Sequence, residues 1–275
     1  MRFYSKEDAG VFETVQFLYI RTILEDHVLR ITLNRPEKRN AFTPTMAEEI
    51  TFALAYAHYN QEVRCVIIDA EGPVFCAGAD LNAFYNLDAD IRNPTLPKIR
   101  EEVKLGDAFD QLLKPSIAQV EGAVLAGGFL LICGCTFVIS ENEAAYGLPE
   151  VKRGIWPMQV MASLLSIIPK RKILEMAVTG KSYSAEEAFR LGLVTQIIEK
   201  EIIADEVNKL ADIICANAPL AIQAGMEALQ ELSAISSSEQ HTYLKNQLEE
   251  LLASEDAKEG ALAFKEKRQP VWKGK

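Results

Sequence analysis

The residue with the clearest chemical potential is Glu150, a carboxylate in the mostly apolar segment Ala144–Pro157. Apolar surroundings disfavour the ionised form of a carboxyl group and raise its pKa. A raised pKa suits a group that takes up and returns a proton during catalysis. The pattern is also compatible with a surface glutamate or with a glutamate at a helix N-terminus.

Two glycine-containing turns could hold a ligand against the backbone. The first covers Phe75–Leu81, and the second covers Gly122–Phe129 and leads into an apolar helix. Small residues let a ligand approach the main chain closely. A helix N-terminus adds unpaired N–H groups and a partial positive charge. Each turn could instead serve packing alone.

The strands and helices that must position these residues are predicted to follow an α/β order. Strands are predicted over Thr14–Leu24, Val28–Leu33 after the turn Glu25–His27, Val63–Ala70, Lys114–Val120 and Thr136–Ser140. Helices are predicted from Thr43 or Thr45 to Tyr59 and over Gly127–Cys135. Because Val63–Ala70 is apolar on both faces, it is typical of a buried parallel sheet. A repeated strand-strand-helix order therefore predicts an α/β fold.

The second part of the chain is predicted to be helical. One helix should end at Gly180, and a capping box at Ser184 should open another that stops at Gly192. The further helices predicted are Ile202–Asn217, Leu220–Ser233, Ser238–Ala253 and Ala257–Arg268. We therefore predict a core over residues 1–204 and a helical region over 205–275. Asn86–Pro97, rich in Asp, Asn and Pro, is predicted to be a mobile loop.

Composition narrows the classes of function. A net charge of -10 over 275 residues disfavours nucleic-acid binding, which needs a basic face. No apolar run reaches the roughly 20 residues of a membrane helix, and the N-terminus lacks a targeting pattern, so we expect a cytoplasmic protein. The five cysteines form no C-x-x-C pair, and the three histidines are scattered. We therefore expect buried free thiols and no metal site.

Six segments in family order resemble the crotonase family, that is, the enoyl-CoA hydratases and isomerases. The resemblance spans nearly the whole chain. The matching segments are Ile31–Phe42, Phe75–Leu81, Gly122–Leu131, Gly147–Gly154, Ser184–Val194 and Glu259–Pro270. It implies a spiral of strand-strand-helix turns followed by C-terminal helices that build trimers, often paired into hexamers.

The resemblance also implies roles for individual residues. The backbone N–H groups of Ala79 and Gly127 would form an oxyanion hole for a thioester carbonyl, with Glu150 as the acid/base. Preorganised donors of this kind stabilise the negative charge of an enolate. Coenzyme A, present as part of the acyl-CoA substrate and not as a separate cofactor, would lie along Lys38, Ala41, Ala77, Asp80, Leu81 and Asn82. Phe264 and Lys267 would help to cover it, although Lys267 could equally lie on a solvated helix face.

One position departs from the hydratase pattern. Hydratases of this family carry two glutamates that together activate a water, and counting 20 residues back from Glu150 gives Leu130. Leucine neither holds a water nor transfers a proton. The family's Δ3,Δ2-enoyl-CoA isomerases use a single glutamate and a Gly-Gly-x-Leu motif, which Gly127–Leu130 resembles. The sequence thus favours a proton shift that uses Glu150 alone.

Large side chains also replace the glycines that usually follow the second glutamate. Trp156, Met158 and Met161 either pack in the core or, together with Leu130, line the acyl pocket, and Gln159 could offer a polar contact there. The loop Asn86–Pro97 should border that pocket. The alternatives left open are a hydratase, a decarboxylase-type enzyme, an enzyme acting on a carrier-bound acyl group, and a non-catalytic CoA-binding relative. Trimer and hexamer are also left open.

Overall fold

The computed structural model describes residues 4–98 and 103–275. The strands are β1 Ile20–Glu25, β2 Val28–Leu33, β3 Cys65–Ala70, β4 Ser116–Val120, β5 Val124–Leu125, β6 Phe137–Glu141, β7 Ala145–Gly147, β8 Ser182–Ser184 and β9 Gln196–Ile198. Within the described ranges they form a six-stranded sheet, β1-β2-β3-β4-β6-β9, and a three-stranded sheet, β5-β7-β8. Only the pairs β1–β2 and β7–β8 are antiparallel.

The helices fall largely where the sequence predicts them. They are α1 Lys6–Ala9, α2 Pro44–Tyr59, α3 Leu81–Tyr85, α4 Leu105–Asp110, α5 Phe129–Gly134, α6 Met158–Leu164, α7 Lys170–Thr179, α8 Ala185–Leu191, α9 Ile203–Cys215, α10 Pro219–Glu231, α11 Gln240–Leu252 and α12 Glu255–Glu266. Gly180 and Gly192 take the left-handed conformation that ends α7 and α8, and Ser184 forms the predicted capping box with Glu187. The α/β fold class is confirmed, whereas trimer formation stays a prediction.

The predicted first strand was too long. Phe12–Thr14 is a 3-10 turn, and the N–H groups of Leu18 and Tyr19 donate to the Glu49 carboxylate instead of to a neighbouring strand. Regular pairing therefore starts only at Ile20. The hairpin turn is also shorter than predicted, because Glu25 pairs with Val28 and leaves only Asp26 and His27 in the left-handed region. This is the geometry of a two-residue type I′ turn.

The loop Asn86–Pro97, predicted to be mobile, is held to helix α2. Arg92 forms an ion pair of 2.6 Å with Glu48, and the fully buried Asn93 donates its amide to Glu49 at 2.6 Å. The carboxylate of Asp90 accepts the Thr45 N–H at 2.8 Å. Because an unpaired buried carboxylate is costly, the contacts to Glu48 and Glu49 stabilise both helix α2 and the position of the loop against it. These contacts were not foreseen from the sequence, and the mobility of the loop stays a prediction.

Helix α9 begins close to the predicted boundary at residue 204 and covers one face of the large sheet. Its side chains Ile203, Val207 and Ala211 pack with Ile67 of β3 and Ile117 of β4. The division into residues 1–204 and 205–275 itself stays a prediction. None of the helices in the described ranges combines the length and apolarity needed to cross a bilayer. All five cysteines are free, as predicted; Cys65, Cys76 and Cys215 are buried, whereas Cys133 and Cys135 are only partly buried.

Candidate active site

The two glycine-containing turns meet at one edge of the large sheet. Strands β3 and β4 are parallel neighbours, so the loops that follow them leave at the same end. A bridge between Cys76 and Val124 joins the loops, with the Leu125 N–H donating to the Cys76 carbonyl at 2.9 Å. The sequence separates these loops by more than forty residues, and the sheet brings them into contact.

The N–H group of Ala79 is left outside the backbone pairing of its loop. Phe42 donates its N–H to the Gly78 carbonyl and accepts from the Asp80 N–H, each at 2.9 Å. Such a parallel bridge uses the residues on either side of Ala79 and not its own N–H. Gly127 is the second residue of the 3-10 turn Ala126–Gly128, so its N–H has no partner within that turn.

These two N–H groups lie close together because the loops are in tight contact. A Cβ added to Gly78 would stand 2.7 Å from the Ala126 Cβ and 3.0 Å from the Gly127 nitrogen. A Cβ added to Gly127 would stand 3.4 Å from the Ala79 nitrogen. Ala126 itself is held at a φ of 51°, a costly conformation for a residue with a side chain. The backbone is therefore preorganised here by its packing.

Glu150 is supplied by a 3-10 turn, Pro149–Arg153, which follows strand β7 and ends at Gly154 with a φ of 74°. Its side chain is buried, and its Oε2 atom has no hydrogen-bond partner among the described residues. Burial raises the pKa of this carboxyl, with its own backbone N–H and the charge of Arg153 opposing the rise. The raised pKa that the sequence predicted is confirmed.

A cavity of about 410 Å³ joins Glu150 to both loops. Among the described residues that line it, Glu150 is the only carboxylate, and Leu130 is also part of the lining. The lining residues are Phe42, Ala77, Ala79, Leu81, Phe84, Tyr85, Ala126, Gly127, Leu130, Pro149, Glu150, Arg153, Ile155, Trp156, Pro157, Met158, Gln159 and Val160. The cavity thus combines two backbone donors, one acid/base candidate and mainly apolar walls.

Trp156 and Met158, for which the sequence left two interpretations open, both line this cavity. Met161 does not, and its sulfur accepts a hydrogen bond from the Trp156 indole N–H at 3.0 Å. A thioether is a weak acceptor, so this contact mainly orients the ring. The structure thereby assigns Met161 to packing and the other two side chains to the cavity wall.

Several predicted coenzyme A contacts lie beside the cavity and not in its lining. Asp80 caps helix α3 and forms an ion pair of 2.8 Å with Arg35, which also donates to the Ala41 carbonyl. Burial favours a higher pKa for Asp80, but the hydrogen bond from Arg35, the N–H groups of Ala83 and Asn82 and the charge of Arg35 together lower it. Its side chain therefore holds two loops together. Lys38 and Asn82 are exposed to solvent and do not line the cavity, whereas Ala77 and Leu81 do.

Phe264 and Lys267, which were predicted to help cover coenzyme A, lie outside this cavity, and their role stays a prediction. Phe264 is 88% exposed, and Lys267 ends helix α12 in a left-handed conformation. Neither lines the cavity. Sequence reasoning also missed Phe84 as a lining residue, and no motif around it could have indicated that role.

The raised pKa of Glu150 has a consequence for stability. A carboxyl whose pKa is higher in the folded state favours folding at low pH, and this contribution is lost as the pH rises through the folded-state pKa. We therefore expect Glu150→Gln to raise the free energy of unfolding relative to the wild type at pH 8 and to lose that advantage below about pH 4. Urea unfolding of both proteins at the two pH values measures this. An equal difference at both pH values would contradict the assignment.

The glycines of the loops are expected to be essential for positioning the N–H donors. Gly78→Ala places a methyl group against Ala126 at a φ of 93°, and Gly127→Ala places one 2.9 Å from the Phe42 ring. Loss of one well-placed donor lowers kcat by about 10²–10³-fold. Gly225→Ala, whose added Cβ meets no atom within 4 Å, is the matched control. Full activity in both loop variants, once circular dichroism shows them folded, would contradict this role.

Comparisons with known proteins find similarity over nearly the whole chain. A family model described as enoyl-CoA hydratase/isomerase matches residues 24–275. The mevalonyl-coenzyme A hydratase of Aspergillus fumigatus is 34% identical over 254 residues, covering 90% of this chain and 92% of the relative. The carnitinyl-CoA dehydratase of Escherichia coli O157:H7 is 35% identical over 257 residues, covering 90% and 95%.

A solved structure gives the same result for the fold. The enoyl-CoA hydratase from Mycobacterium tuberculosis H37Rv superimposes with a TM-score of 0.82 at 32% sequence identity. The superposition covers 94% of this chain and 99% of that protein.

Proposed function

Because this chain belongs to the enoyl-CoA hydratase/isomerase family and is an enzyme of that family, we propose that it shifts a proton along an acyl-CoA thioester in the manner of a Δ3,Δ2-enoyl-CoA isomerase. The observation that carries this proposal is that Glu150 is the only carboxylate among the described residues lining the cavity. Leu130, which lines the same cavity, brings no second acid or base.

The reaction needs one base that works in both directions. Glu150 takes a proton from C2 of a 3-enoyl thioester, and the electron pair of that bond moves into the carbonyl to form an enolate. The enolate then collapses: its electrons restore the carbonyl and form the C2=C3 double bond, while the electron pair of the former C3=C4 double bond takes the proton from Glu150 to form the new C4–H bond. Burial suits the carboxyl to this role. It raises the pKa of Glu150 and so reduces the difference between this pKa and that of the weakly acidic C2–H group.

The enolate oxygen is placed between the N–H groups of Ala79 and Gly127. Neither N–H is used by the backbone pairing around it, so both are available to a ligand without breaking a bond. Fixed donors of this kind cost no reorganisation when charge develops. The role of the chain is therefore to hold charge at one point and to move one proton beside it.

The coenzyme A portion is proposed to lie over the loops that contain Lys38, Ala41 and Ala77, with no cofactor beyond the substrate itself. Phe264 and Lys267 are proposed to cover coenzyme A bound to a neighbouring copy, in a homotrimer or a dimer of trimers. The exposed apolar side chains of the last helices, such as Leu252 at 61% exposure, support association. Light scattering that finds only monomers at micromolar concentration would overturn this part.

Hydration is the second candidate, because two relatives carry the names hydratase and dehydratase. Isomerisation and hydration give different products. Incubation with a 3-enoyl-CoA and with a 2-enoyl-CoA, followed by chromatography with mass detection, separates an isomer from a product that has gained water. Isomerisation of the 3-enoyl-CoA supports the proposal. Hydration at ordinary enzyme rates without isomerisation would overturn it, and turnover of a malonyl-type thioester alone would favour a decarboxylase.

A further inference from the structure

A second cavity, of about 490 Å³, adjoins the one that contains Glu150. The two cavities share four lining residues: Phe42, Phe84, Leu130 and Gln159. These side chains therefore stand at the junction between the cavities. An acyl chain that extends from Glu150 past Leu130 would enter the second cavity.

Part of the wall that the second cavity does not share with the Glu150 cavity is polar. Thr45, Glu48, Asp90 and Arg92 line only the second cavity, and they alternate there with five apolar residues, Pro44, Ala47, Ala83, Val103 and Leu105. Glu48 and Arg92 are paired at 2.6 Å, and Asp90 is fixed by the Thr45 N–H. A plain hydrocarbon tail placed against these groups would remove water from them and return no hydrogen bond.

Gln159 places a polar group at the junction itself. It lies on the first turn of α6, is exposed, and lines both cavities. The structure records no hydrogen bond between its amide and another described residue. An amide can donate and accept, so it can pair with a hydroxyl in either orientation. A free amide beside an otherwise apolar junction is therefore suited to recognise a polar substituent on the acyl chain.

We propose that Gln159 and the polar wall of the second cavity select a hydroxylated acyl thioester over a plain fatty acyl thioester of the same length. This inference rests on the proposed function, because it needs acyl-CoA in the Glu150 cavity. Sites built to hydrogen-bond a substrate hydroxyl discriminate against analogues that lack it, since their own polar groups are then left unpaired. Gln159 is thus a specificity-determining residue, and the substrate class is a short acyl chain with a distal hydroxyl.

Binding of unreactive saturated thioesters tests this inference without relying on turnover. 5-Hydroxypentanoyl-CoA and hexanoyl-CoA match in length and differ in a terminal hydroxyl against a methyl group. By isothermal titration calorimetry, the wild type is expected to bind the hydroxylated thioester about fivefold more tightly, and Gln159→Met is expected to abolish or reverse that preference. Gln196→Met, an exposed change on strand β9, is the matched control and should keep the preference.

The possible outcomes distinguish a failure of the hydroxyl preference from a failure of the proposed function. Tighter binding of hexanoyl-CoA by the wild type, or a preference that Gln159→Met leaves unchanged, would overturn the inference and leave the proposed function standing. Binding of neither thioester would overturn the proposed function and the inference together. Circular dichroism of each variant establishes that it is folded before titration.

Discussion

Glu150→Gln is expected to lower kcat for the isomerisation of a 3-enoyl-CoA by about 10²–10⁴-fold, with little change in KM. The amide keeps the shape of the side chain but neither removes a proton from carbon nor returns one. Because no other described carboxylate lines the cavity, no neighbouring group can take over the proton. Stopped assays at saturating substrate give kcat, and Glu150→Ala should reproduce the loss.

The matched control is Glu143→Gln, an exposed glutamate in the turn before strand β7. It changes the net charge by the same amount and should leave kcat within about twofold, as surface substitutions away from a site have small effects. If Glu150→Gln keeps its activity within a few-fold of the wild type, Glu150 is not the base and the mechanism fails.

Leu130→Glu is expected to raise the rate at which the protein hydrates a 2-enoyl-CoA. The position lies in the lining of the same cavity as Glu150, so the new carboxylate can hold and activate a water on the acyl chain. A second well-placed acid/base contributes about 10²–10⁴-fold to such a step. We therefore expect hydration of a 2-enoyl-CoA to rise by at least about 10²-fold, while isomerisation falls or stays level. Mass detection of the product with added water measures the gain.

Leu130→Gln is the control that distinguishes the effect of a carboxylate from the effect of the side chain's size and polarity. It adds a polar side chain of the same length without proton transfer, and should not raise hydration. Because Leu130 is only 5% exposed, both variants bury a polar group and lose stability by about 1–3 kcal/mol. Thermal unfolding identifies any variant that fails to fold. Equal hydration rates in the wild type and in Leu130→Glu would show that a missing carboxylate is not what limits hydration.

Local signals in the sequence predicted the parts of the site that depend on local structure. Glu150 lies in an apolar segment and is buried with a raised pKa, as predicted. Gly180 and Gly192 end helices, and Ser184 opens one, because capping needs only a few neighbouring residues. The spacing of 20 residues before Glu150 likewise identified Leu130 as the position that lacks an acid.

The features that sequence reasoning missed depend on contacts between distant segments. Asn93 donates its amide to Glu49, 44 residues earlier, so a stretch rich in turn residues packs against helix α2. Strand β1 begins late for a similar reason, because Glu49 takes the N–H groups that precede it. The second cavity has the same origin, since its polar wall combines helix α2 with this loop. No local pattern specifies which of these segments meet.

The measurement that tests the single-base proton shift most directly follows a deuterium label within one turnover. A 3-enoyl-CoA carrying two deuterium atoms at C2 is converted in ordinary water, and the label at C4 of the product is measured by NMR or mass spectrometry. Glu150 is buried, so the deuterium it removes should be returned to C4 before it exchanges with water. Retention of a large part of the label at C4 is the predicted result. A product hydroxylated at C3, or C4 hydrogen drawn wholly from water, would contradict the account.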